Sequence, residues 1–315
     1  MKNGMQLLTG IILLLMYFIA TTGCDPNAFT QHVDIPESQT VEVVDTGDSI
    51  IMGSFNIEIF GRAKMGNSDV TAILVDIARR FDLLAIQELR STDQSIVPRF
   101  VDMINADGSK FKWVLGPRQG YTISKEQYVY IYDSEKIELV GEPYVAPDPT
   151  GVMHRSPLSA SFRCIAPGRD AFSFTLMNVH VDPDEVYREA DALSVVIDNV
   201  RRLHPEEDDL ILLGDVNCPP RFFQDYPWFQ NQFPCVADEW TTNTAQNQNL
   251  DNIVFDFQNT REFLEQSGVL NLMLEYELTR DQANLVSDHF PVWAVFSNVE
   301  APQRSIVQEP TGVLR

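Results

Sequence analysis

The sequence predicts an α/β fold in which helices flank mixed β-sheets. Short apolar runs alternate with amphipathic stretches along most of the chain, and several of the predicted strands follow one another directly. A parallel barrel would need a stricter alternation of strand and helix. With 315 residues, of which 44% are hydrophobic and 10% aromatic, the chain can bury a sizeable core.

The spacing of the apolar residues predicts where the helices and strands lie. Three stretches repeat at helical spacing, and we predict helices at 69–80, 96–105 and 185–203. Shorter apolar runs bounded by turn-forming residues are typical of strands. The predicted strands span 49–57, 83–87, 111–115, 127–132, 137–145, 158–165, 172–180, 210–213, 253–255 and 291–296.

The first 24 residues have the layout of an export signal. Lys2 precedes an apolar run from Leu7 to Ala20, which is shorter than the roughly 20 residues that a membrane-spanning helix needs. Gly23-Cys24 resembles the lipidation site of bacterial lipoproteins, although Thr21 stands where a larger aliphatic residue is usual. We therefore expect an exported protein, either lipid-anchored through Cys24 or secreted or periplasmic, with an uncleaved N-terminal anchor as the alternative.

Composition divides the rest of the chain into three parts. Residues 25–47 are polar and acidic and are interpreted as a tether, residues 48–298 as the folded domain, and residues 299–315 as a flexible tail. Cys218 and Cys235 flank a loop rich in proline and aromatic residues and could form a disulfide, which would leave Cys164 as a free, buried thiol. Because the chain has no CxxC pair, the cysteines do not predict a zinc site.

The formal net charge of -22 argues against a protein that holds nucleic acid by a basic patch, because such a chain repels polyanions. The charge does not exclude an enzyme that acts on a phosphate. An acidic site that binds Mg²⁺ or Ca²⁺ acquires positive charge with the metal.

Polar side chains stand at the ends of the apolar runs, where α/β folds place their sites. Taken singly, each has a structural explanation as a turn former, a surface acid or a cap. Taken together, they supply oxygen ligands for a hard cation, histidines for proton transfer, acids to orient those histidines, and an arginine for a phosphate oxygen. The oxygen ligands are Asn56, Glu88, Asp215, Asn217 and Asp288, the histidines are His180 and His289, the orienting acids are Glu126 and Asp251, and the arginine is Arg155.

Four sequence blocks contain or adjoin these residues, namely Phe55-Asn56-Ile57, Ile86 to Arg90, Leu213 to Asn217 and Ser287 to Pro291. In order and in approximate spacing, they resemble the blocks of the DNase I-like endonuclease/exonuclease/phosphatase superfamily. The resemblance covers residues 49–297 and is strongest to the DNase I branch. It implies a four-layer α-β-β-α sandwich of two packed mixed sheets, with the site at one edge of the sheets.

The resemblance also implies a role for each of these residues. Glu88 would be the principal metal ligand, with Asn56 and Asp288 close to the metal, which would be Mg²⁺, with Ca²⁺ or Mn²⁺ as alternatives. The pairs His180–Glu126 and His289–Asp251 would act as general acid and general base, in an order left open. The remaining implied roles are orientation or deprotonation of water by Asp215, hydrogen bonding to the phosphate by Asn217, a position near the scissile phosphate for Arg155, and contact with the DNA minor groove for Arg90.

Two positions depart from the family pattern. Ser124 replaces the tyrosine that accompanies Arg90, and Glu58 replaces a basic residue that helps to hold the DNA backbone. Cys218 lies near the place of one partner of the family's second disulfide, but Cys235 does not lie near the place of the other. The sequence therefore predicts phosphodiesterase chemistry more firmly than specificity for double-stranded DNA.

The leading hypothesis is an exported endonuclease that hydrolyses DNA, and we infer no protein partner. One alternative is a related enzyme that acts on a phospholipid, as a sphingomyelinase does, or on a small phosphoester. A membrane-inserting loop would favour the phospholipid, and the only candidate contains Phe222, Phe223, Tyr226, Trp228 and Phe229. The acidic charge and the export signal disfavour a nuclease for abasic sites, and the complete site disfavours a noncatalytic binding protein on the same fold. The chain contains neither a Walker A loop nor a dinucleotide fingerprint.

Overall fold

The computed structural model describes residues 47–226 and 229–302. The predicted export signal, almost all of the predicted tether and the chain from residue 303 onward lie outside these ranges. Within them, every helix is too short or too polar to cross a membrane.

The strands of the described residues form two six-stranded mixed sheets. In the first sheet, β1 and β2 run parallel and the other pairs are antiparallel, and in the second sheet only β7 and β8 run parallel. The first sheet has the order β11 (Phe263–Val269), β12 (Val292–Ser297), β1 (Ser49–Phe60), β2 (Leu83–Leu89), β4 (Gln127–Asp133), β3 (Phe111–Leu115). The second has the order β5 (Ile137–Val145), β6 (Leu158–Cys164), β7 (Ser173–His180), β8 (Leu210–Asp215), β10 (Asp251–Phe255), β9 (Phe233–Pro234).

Helices cover the outer faces of both sheets. Leu74 and Phe100 pack with Phe55 against the first sheet, and Leu193 packs with Leu212 against the second. The two sheets enclose a third apolar layer between them. The helices are α1 (Arg62–Met65), α2 (Ser68–Arg79), α3 (Ile96–Ile104), α4 (Val186–Leu203), α5 (Leu272–Glu275) and α6 (Arg280–Val286), with 3₁₀ turns at Asn105–Asp107, Pro220–Asp225 and Phe229–Asn231. The predicted four-layer α-β-β-α arrangement is confirmed.

The structure differs from the predicted elements in three ways. The first strand does not end near Asn56 but continues to Phe60, past a shift in its pairing with β2. Strands β9 and β11 and helices α1, α5 and α6 were not predicted, because β9 has only two residues, β11 is a largely exposed strand and the helices are short. Cys218 and Cys235 are unpaired and buried, as is Cys164, so the suggested disulfide is absent.

The described residues beyond 298 remain bonded to the domain. Val299 forms an isolated β-bridge with Ala171, and the Ala301 amide donates a hydrogen bond to Oε1 of Glu262. Ordered structure therefore continues a few residues past the predicted end of the domain.

Candidate active site

Strand alternation brings the predicted site residues to one end of the space between the sheets. In β1, Ile50 and Met52 face the other sheet whereas Phe55 and Ile57 face the helices, so Asn56 belongs to the row between the sheets. The same alternation applies to the other strands that carry site residues. On each of these strands, the row of side chains that faces the other sheet therefore ends in a polar residue. These residues are Asn56 on β1, Glu126 just before β4, His180 on β7, Asp215 on β8 and Asp251 on β10.

Glu88 reaches the site only because its strand departs from regular geometry. Its φ of 63° is in the left-handed region, which is rare and costly for a residue with a β-carbon. Glu58 and Ile59 on the neighbouring strand also have positive φ, and the Ile59 amide donates a 2.9 Å hydrogen bond to Oε2 of Glu88. The irregular segments of β1 and β2 therefore stabilise each other and hold the Glu88 carboxylate at the sheet edge.

His180 forms the first histidine–carboxylate pair. Its Nδ1 lies 2.9 Å from Oε2 of Glu126, and its backbone amide donates to the Tyr128 hydroxyl at 2.9 Å. Burial alone would lower the pKa of His180, but the hydrogen bond with Glu126 and the Asp215 carboxylate raise it. Burial alone would raise the pKa of Glu126, but His180 and Arg155 lower it. The pair thus favours a charged imidazole with a charged carboxylate.

His289 forms the second pair, from the opposite side. Its Nδ1 lies 2.8 Å from Oδ2 of Asp251, which also accepts a 2.7 Å hydrogen bond from the Thr242 hydroxyl. Burial alone would lower the pKa of His289, but the carboxylates of Asp251 and Asp215 raise it to about 10. In both pairs the carboxylate holds Nδ1, so Nε2 is the atom that faces the space between the histidines.

Asp215 lies where the two pairs meet. Its Oδ2 is 3.6 Å from Nε2 of His180 and 3.6 Å from Nε2 of His289. The Asn56 amide donates to the same oxygen at 3.0 Å and to Oε1 of Glu88 at 3.4 Å. Burial raises the pKa of Asp215, although the two histidines act in the opposite direction. Asp215 therefore lies between two imidazoles, each of which is oriented by its own carboxylate.

Two arginines contact the His180–Glu126 pair. Arg155 is buried, and its guanidinium donates to Oε1 of Glu126 at 2.9 Å and to the His180 carbonyl at 3.2 Å. Arg90 is more exposed, and it contacts Oε1 of Glu126 at 3.1 Å and Oε2 of Glu88 at 3.2 Å. Both positive groups lie beside the carboxylates of the site, where an anionic substrate would need them.

A model of the Endonuclease/Exonuclease/phosphatase family matches residues 53–250, more than half of the chain. The chain belongs to this family. It is similar to rat Deoxyribonuclease gamma, with 29% identity over 262 residues, which cover 78% of this chain and 83% of that protein. It is also similar to mouse Deoxyribonuclease-1-like 2, with 28% identity over 259 residues, which cover 78% of this chain and 91% of that protein.

The fold likeness extends to solved structures. An endonuclease/exonuclease/phosphatase family protein from Bacteroides thetaiotaomicron superposes with a TM-score of 0.55 at 14% identity, covering 80% of this chain and 98% of that one. The superposition supports the shared fold. Membership of the endonuclease/exonuclease/phosphatase family, together with the deoxyribonuclease relatives, supports hydrolase chemistry on phosphodiesters for this chain.

Two of the predicted residues lie at the rim of the candidate site. The Asp288 side chain is 54% exposed, and its Oδ1 lies 3.8 Å from Nε2 of His289. The Asn217 side chain donates to the Val181 carbonyl at 2.8 Å, and its backbone amide donates to Oδ1 of Asp215 at 3.1 Å. Asn217 therefore stabilises the loop after β8 and the orientation of Asp215.

Two residues that position the candidate site were not predicted from the sequence. Ser287 donates to the Asn56 carbonyl at 2.6 Å and accepts from the His289 amide at 3.0 Å, so it joins two parts of the site. Glu189 is fully buried on α4 and accepts from the amides of His154 and Asp182. Ser287 could have been predicted because it adjoins Asp288 and His289 in the sequence. For Glu189, the only indication in the sequence was an acid on the apolar face of a predicted helix.

The two departures from the family pattern lie in different surroundings. Ser124 is exposed in the loop before β4. Glu58 is half-buried beside Lys64, whose ammonium lies 3.7 Å from Oε2 of Glu58 and also donates to the carbonyls of Ile57 and Glu58. Burial and the nearby carboxylates of Asp288 and Glu88 raise the pKa of Glu58, because an ionised Glu58 is repelled by both.

Proposed function

We propose that this protein is an exported, divalent-metal-dependent endonuclease that hydrolyses phosphodiester bonds in DNA. The observation that carries the proposal is the convergence of the His180 and His289 Nε2 atoms on Oδ2 of Asp215, at 3.6 Å each. Hydrolysis of a phosphodiester needs one group that accepts a proton from water and another that protonates the leaving oxygen. The deoxyribonuclease relatives favour DNA as the substrate.

Each histidine is prepared for proton transfer by its carboxylate. Because Nδ1 of His180 is held by Glu126 and Nδ1 of His289 by Asp251, only the Nε2 atoms exchange protons with the substrate or with water. One imidazole, in its neutral form, accepts the proton of the attacking water on Nε2 while the other, protonated, donates to the leaving oxygen. Asp215 orients that water from its position between them, and the Asn56 amide keeps its Oδ2 in place.

The oxygen donors at the edge of the site fit a hard divalent cation. Oε2 of Glu88 is occupied by the Ile59 amide and Arg90, whereas the hydrogen bond to its Oε1 is a long one of 3.4 Å from Asn56. Glu88 and the half-exposed Asp288 would hold Mg²⁺, with Ca²⁺ or Mn²⁺ as alternatives, and Asn56 would support it. When bound, the cation neutralises the nonbridging oxygens of the phosphate.

The basic residues of the site would hold the substrate phosphate. Arg155 is fixed by Glu126 and by the His180 carbonyl, so its guanidinium can meet a phosphate oxygen without further ordering. Arg90 lies closer to solvent and would contact the DNA beside the scissile phosphate. Asn217 would donate to the phosphate if its amide exchanged the Val181 carbonyl for the substrate.

The alternative of a phospholipid substrate receives less support. In the candidate membrane-inserting loop, Phe223, Tyr226 and Phe229 are each no more than 4% exposed and pack on one another. A loop that inserts into a membrane would expose these rings.

Plasmid nicking tests the nuclease proposal. We expect the purified protein to convert supercoiled plasmid to nicked circles with Mg²⁺, and EDTA to abolish the reaction. His180→Ala and His289→Ala should each lower the rate about 10²–10⁴-fold. His204→Ala is the matched control, because its ring stacks on Tyr144 and is not part of the site. Nicking by the His180→Ala, His289→Ala double variant at the wild-type rate would refute the proposal, and hydrolysis of only phospholipids or small phosphoesters would identify the alternative.

Export rests on the N-terminal sequence and has its own test. We expect the full-length protein, produced in a bacterium, to appear outside the cytoplasm with its first residues removed. Incorporation of labelled palmitate that is lost in Cys24→Ser would identify a lipid anchor. An uncleaved protein in the cytoplasm would contradict export without affecting the nuclease proposal.

A further inference from the structure

A second group of acids lies at the end of the inter-sheet space opposite the active site. On β8, Ile211 and Leu213 face the other sheet, so the same row ends in Asp215 at the active site and in Asp209 at the far end. These two aspartates are six residues apart, which corresponds to about 20 Å along an extended strand. Glu262, just before β11, and Glu300, just after β12, meet Asp209 there. We call Asp209, Glu262 and Glu300 the distal carboxylate cluster.

The distal carboxylate cluster has the dimensions of a cation site. One carboxylate oxygen from each residue lies within 4.8 Å of the other two. A cleft of about 230 Å³ opens beside them and is lined by Glu262, Glu300 and neighbouring polar residues. That volume accommodates an ion together with several water molecules, since a water occupies about 30 Å³ in the liquid.

Two oxygens of the cluster are buried and lack a hydrogen-bond partner among the described residues. Asp209 is 1% exposed and Glu262 is 2% exposed, and the unpartnered atoms are Oδ1 of Asp209 and Oε2 of Glu262. The Thr260 hydroxyl interacts with the Asp209 carboxylate and lowers its pKa, but this effect is smaller than that of burial and of Glu262. The other oxygen of Glu262 accepts from the Ala301 amide at 2.6 Å, which fixes the carboxylate. A buried carboxylate oxygen without a partner is costly, and a bound cation removes that cost.

No basic side chain among the described residues neutralises the cluster. Arg261 lines the same cleft, but its guanidinium donates to the Pro302 carbonyl, and the described residues contain no ion pair between Arg261 and the cluster. Burial and the neighbouring Glu262 carboxylate raise the pKa of Asp209 to about 9. Burial and Glu262 also raise the pKa of Glu300, to about 7. Burial and the Glu262 carboxylate therefore oppose the ionisation of Asp209 and Glu300.

We propose that Asp209, Glu262 and Glu300 bind a Ca²⁺ ion that joins the two sheets at the end opposite the active site. Oxygen-only ligands at irregular spacing favour Ca²⁺ over Mg²⁺, because Mg²⁺ demands a near-ideal octahedron. Asp209 directly precedes β8 of the second sheet, whereas Glu262 and Glu300 flank strands of the first sheet. The ion therefore stabilises the contact between the sheets and takes no part in hydrolysis.

Calcium titration of the full-length protein tests this proposal. Glu88→Gln serves as the background because it removes the principal ligand of the proposed catalytic site. In that background, isothermal titration calorimetry with Ca²⁺ alone should give one site per chain. Adding Asp209→Asn with Glu262→Gln should remove that site. Adding Glu300→Gln, a change at the half-exposed rim that leaves the core intact, should weaken Ca²⁺ binding at least tenfold. The exposed Glu206→Gln is the matched control and should change nothing.

Thermal unfolding gives a second measurement. Ca²⁺ should raise the melting temperature of the Glu88→Gln protein but not of the variant that also carries Asp209→Asn and Glu262→Gln. With Glu88 intact, Asp209→Asn should nick plasmid at the wild-type rate in saturating Mg²⁺. Absence of a stoichiometric Ca²⁺ site in Glu88→Gln would overturn the proposal, as would cluster variants that bind Ca²⁺ like their parent. Because nicking is measured separately, failure here does not bear on the nuclease.

Discussion

Gly214 packs directly against the carbonyl group of Val179 on the neighbouring strand. A β-carbon at position 214 would lie 2.0 Å from the Val179 carbonyl oxygen, and the φ of Gly214 is +148°. The two residues immediately precede Asp215 and His180, so this contact sets how closely β7 and β8 approach beneath the active site.

The substitution Gly214→Ala should therefore destabilise the folded protein and displace Asp215. We expect a loss of roughly 3 kcal/mol or more in the free energy of unfolding, because backbone must move to admit the methyl group. Urea denaturation measures this loss. Gly141→Ala is the matched control, since Gly141 also has a positive φ of +70° but nothing within 4 Å of its added β-carbon. Equal losses in the two variants would show that strain in φ, rather than the contact with Val179, is responsible.

Glu189 should position Arg155 without touching the substrate. Glu189→Ala leaves the partly buried amides of His154 and Asp182 without their acceptor, at a cost of roughly 2 kcal/mol in stability. Because Arg155 follows His154 in the chain, we expect the KM for DNA to rise more than kcat falls. Steady-state nicking at a temperature where the variant is folded measures both constants.

The exposed Asp191→Ala on the same helix is the control for Glu189. Glu189→Gln retains one acceptor oxygen and should recover part of the activity. Unchanged KM and kcat in folded Glu189→Ala would mean that Glu189 supports stability alone.

Removing the charge of Glu58 should improve DNA binding. Glu58 lies beside Glu88 and Asp288, where an additional carboxylate repels phosphate. We expect Glu58→Gln to lower the KM for plasmid about fivefold, which corresponds to ~1 kcal/mol for one partly exposed charge, and the effect should shrink at high salt. Kinetics at several salt concentrations test this. A higher Mg²⁺ requirement with an unchanged KM would instead make Glu58 a metal ligand, and the exposed Glu135→Gln should behave like the wild type.

The three described cysteines should be unreactive in the folded protein. Burial raises the pKa of Cys164 and Cys218 to about 12 and raises the pKa of Cys235 well above its usual value. At pH 8 the reactive thiolate of such a group is a fraction on the order of 10⁻⁴. In Cys24→Ala, we expect Ellman's reagent to detect almost no thiol before denaturation and three thiols per chain in denaturant without reductant. One thiol would reveal a disulfide between Cys218 and Cys235.

The sequence predicted most strands and the three long helices because each has a clear apolar period. Strand β11 was not predicted because it lies at the edge of its sheet, where it pairs with β12 and leaves Leu264 and Glu265 exposed, so its sequence lacks a clear apolar alternation. The aromatic loop after Cys218 appeared as a candidate membrane contact, and only packing against α4 and the second sheet showed its described rings to be core.

The amino-acid sequence by itself determined the alternating rows of the strands and the polar residue at the end of each row. Local sequence fixes this pattern because the side-chain period of a strand is two, whatever the strand pairs with. Tertiary structure alone decided that two histidines from different sheets converge on Asp215, that Glu88 enters the site through a left-handed residue, and that Asp209 meets Glu262 and Glu300. These contacts join residues far apart in the chain, so they depend on sheet order and register, which no local pattern specifies.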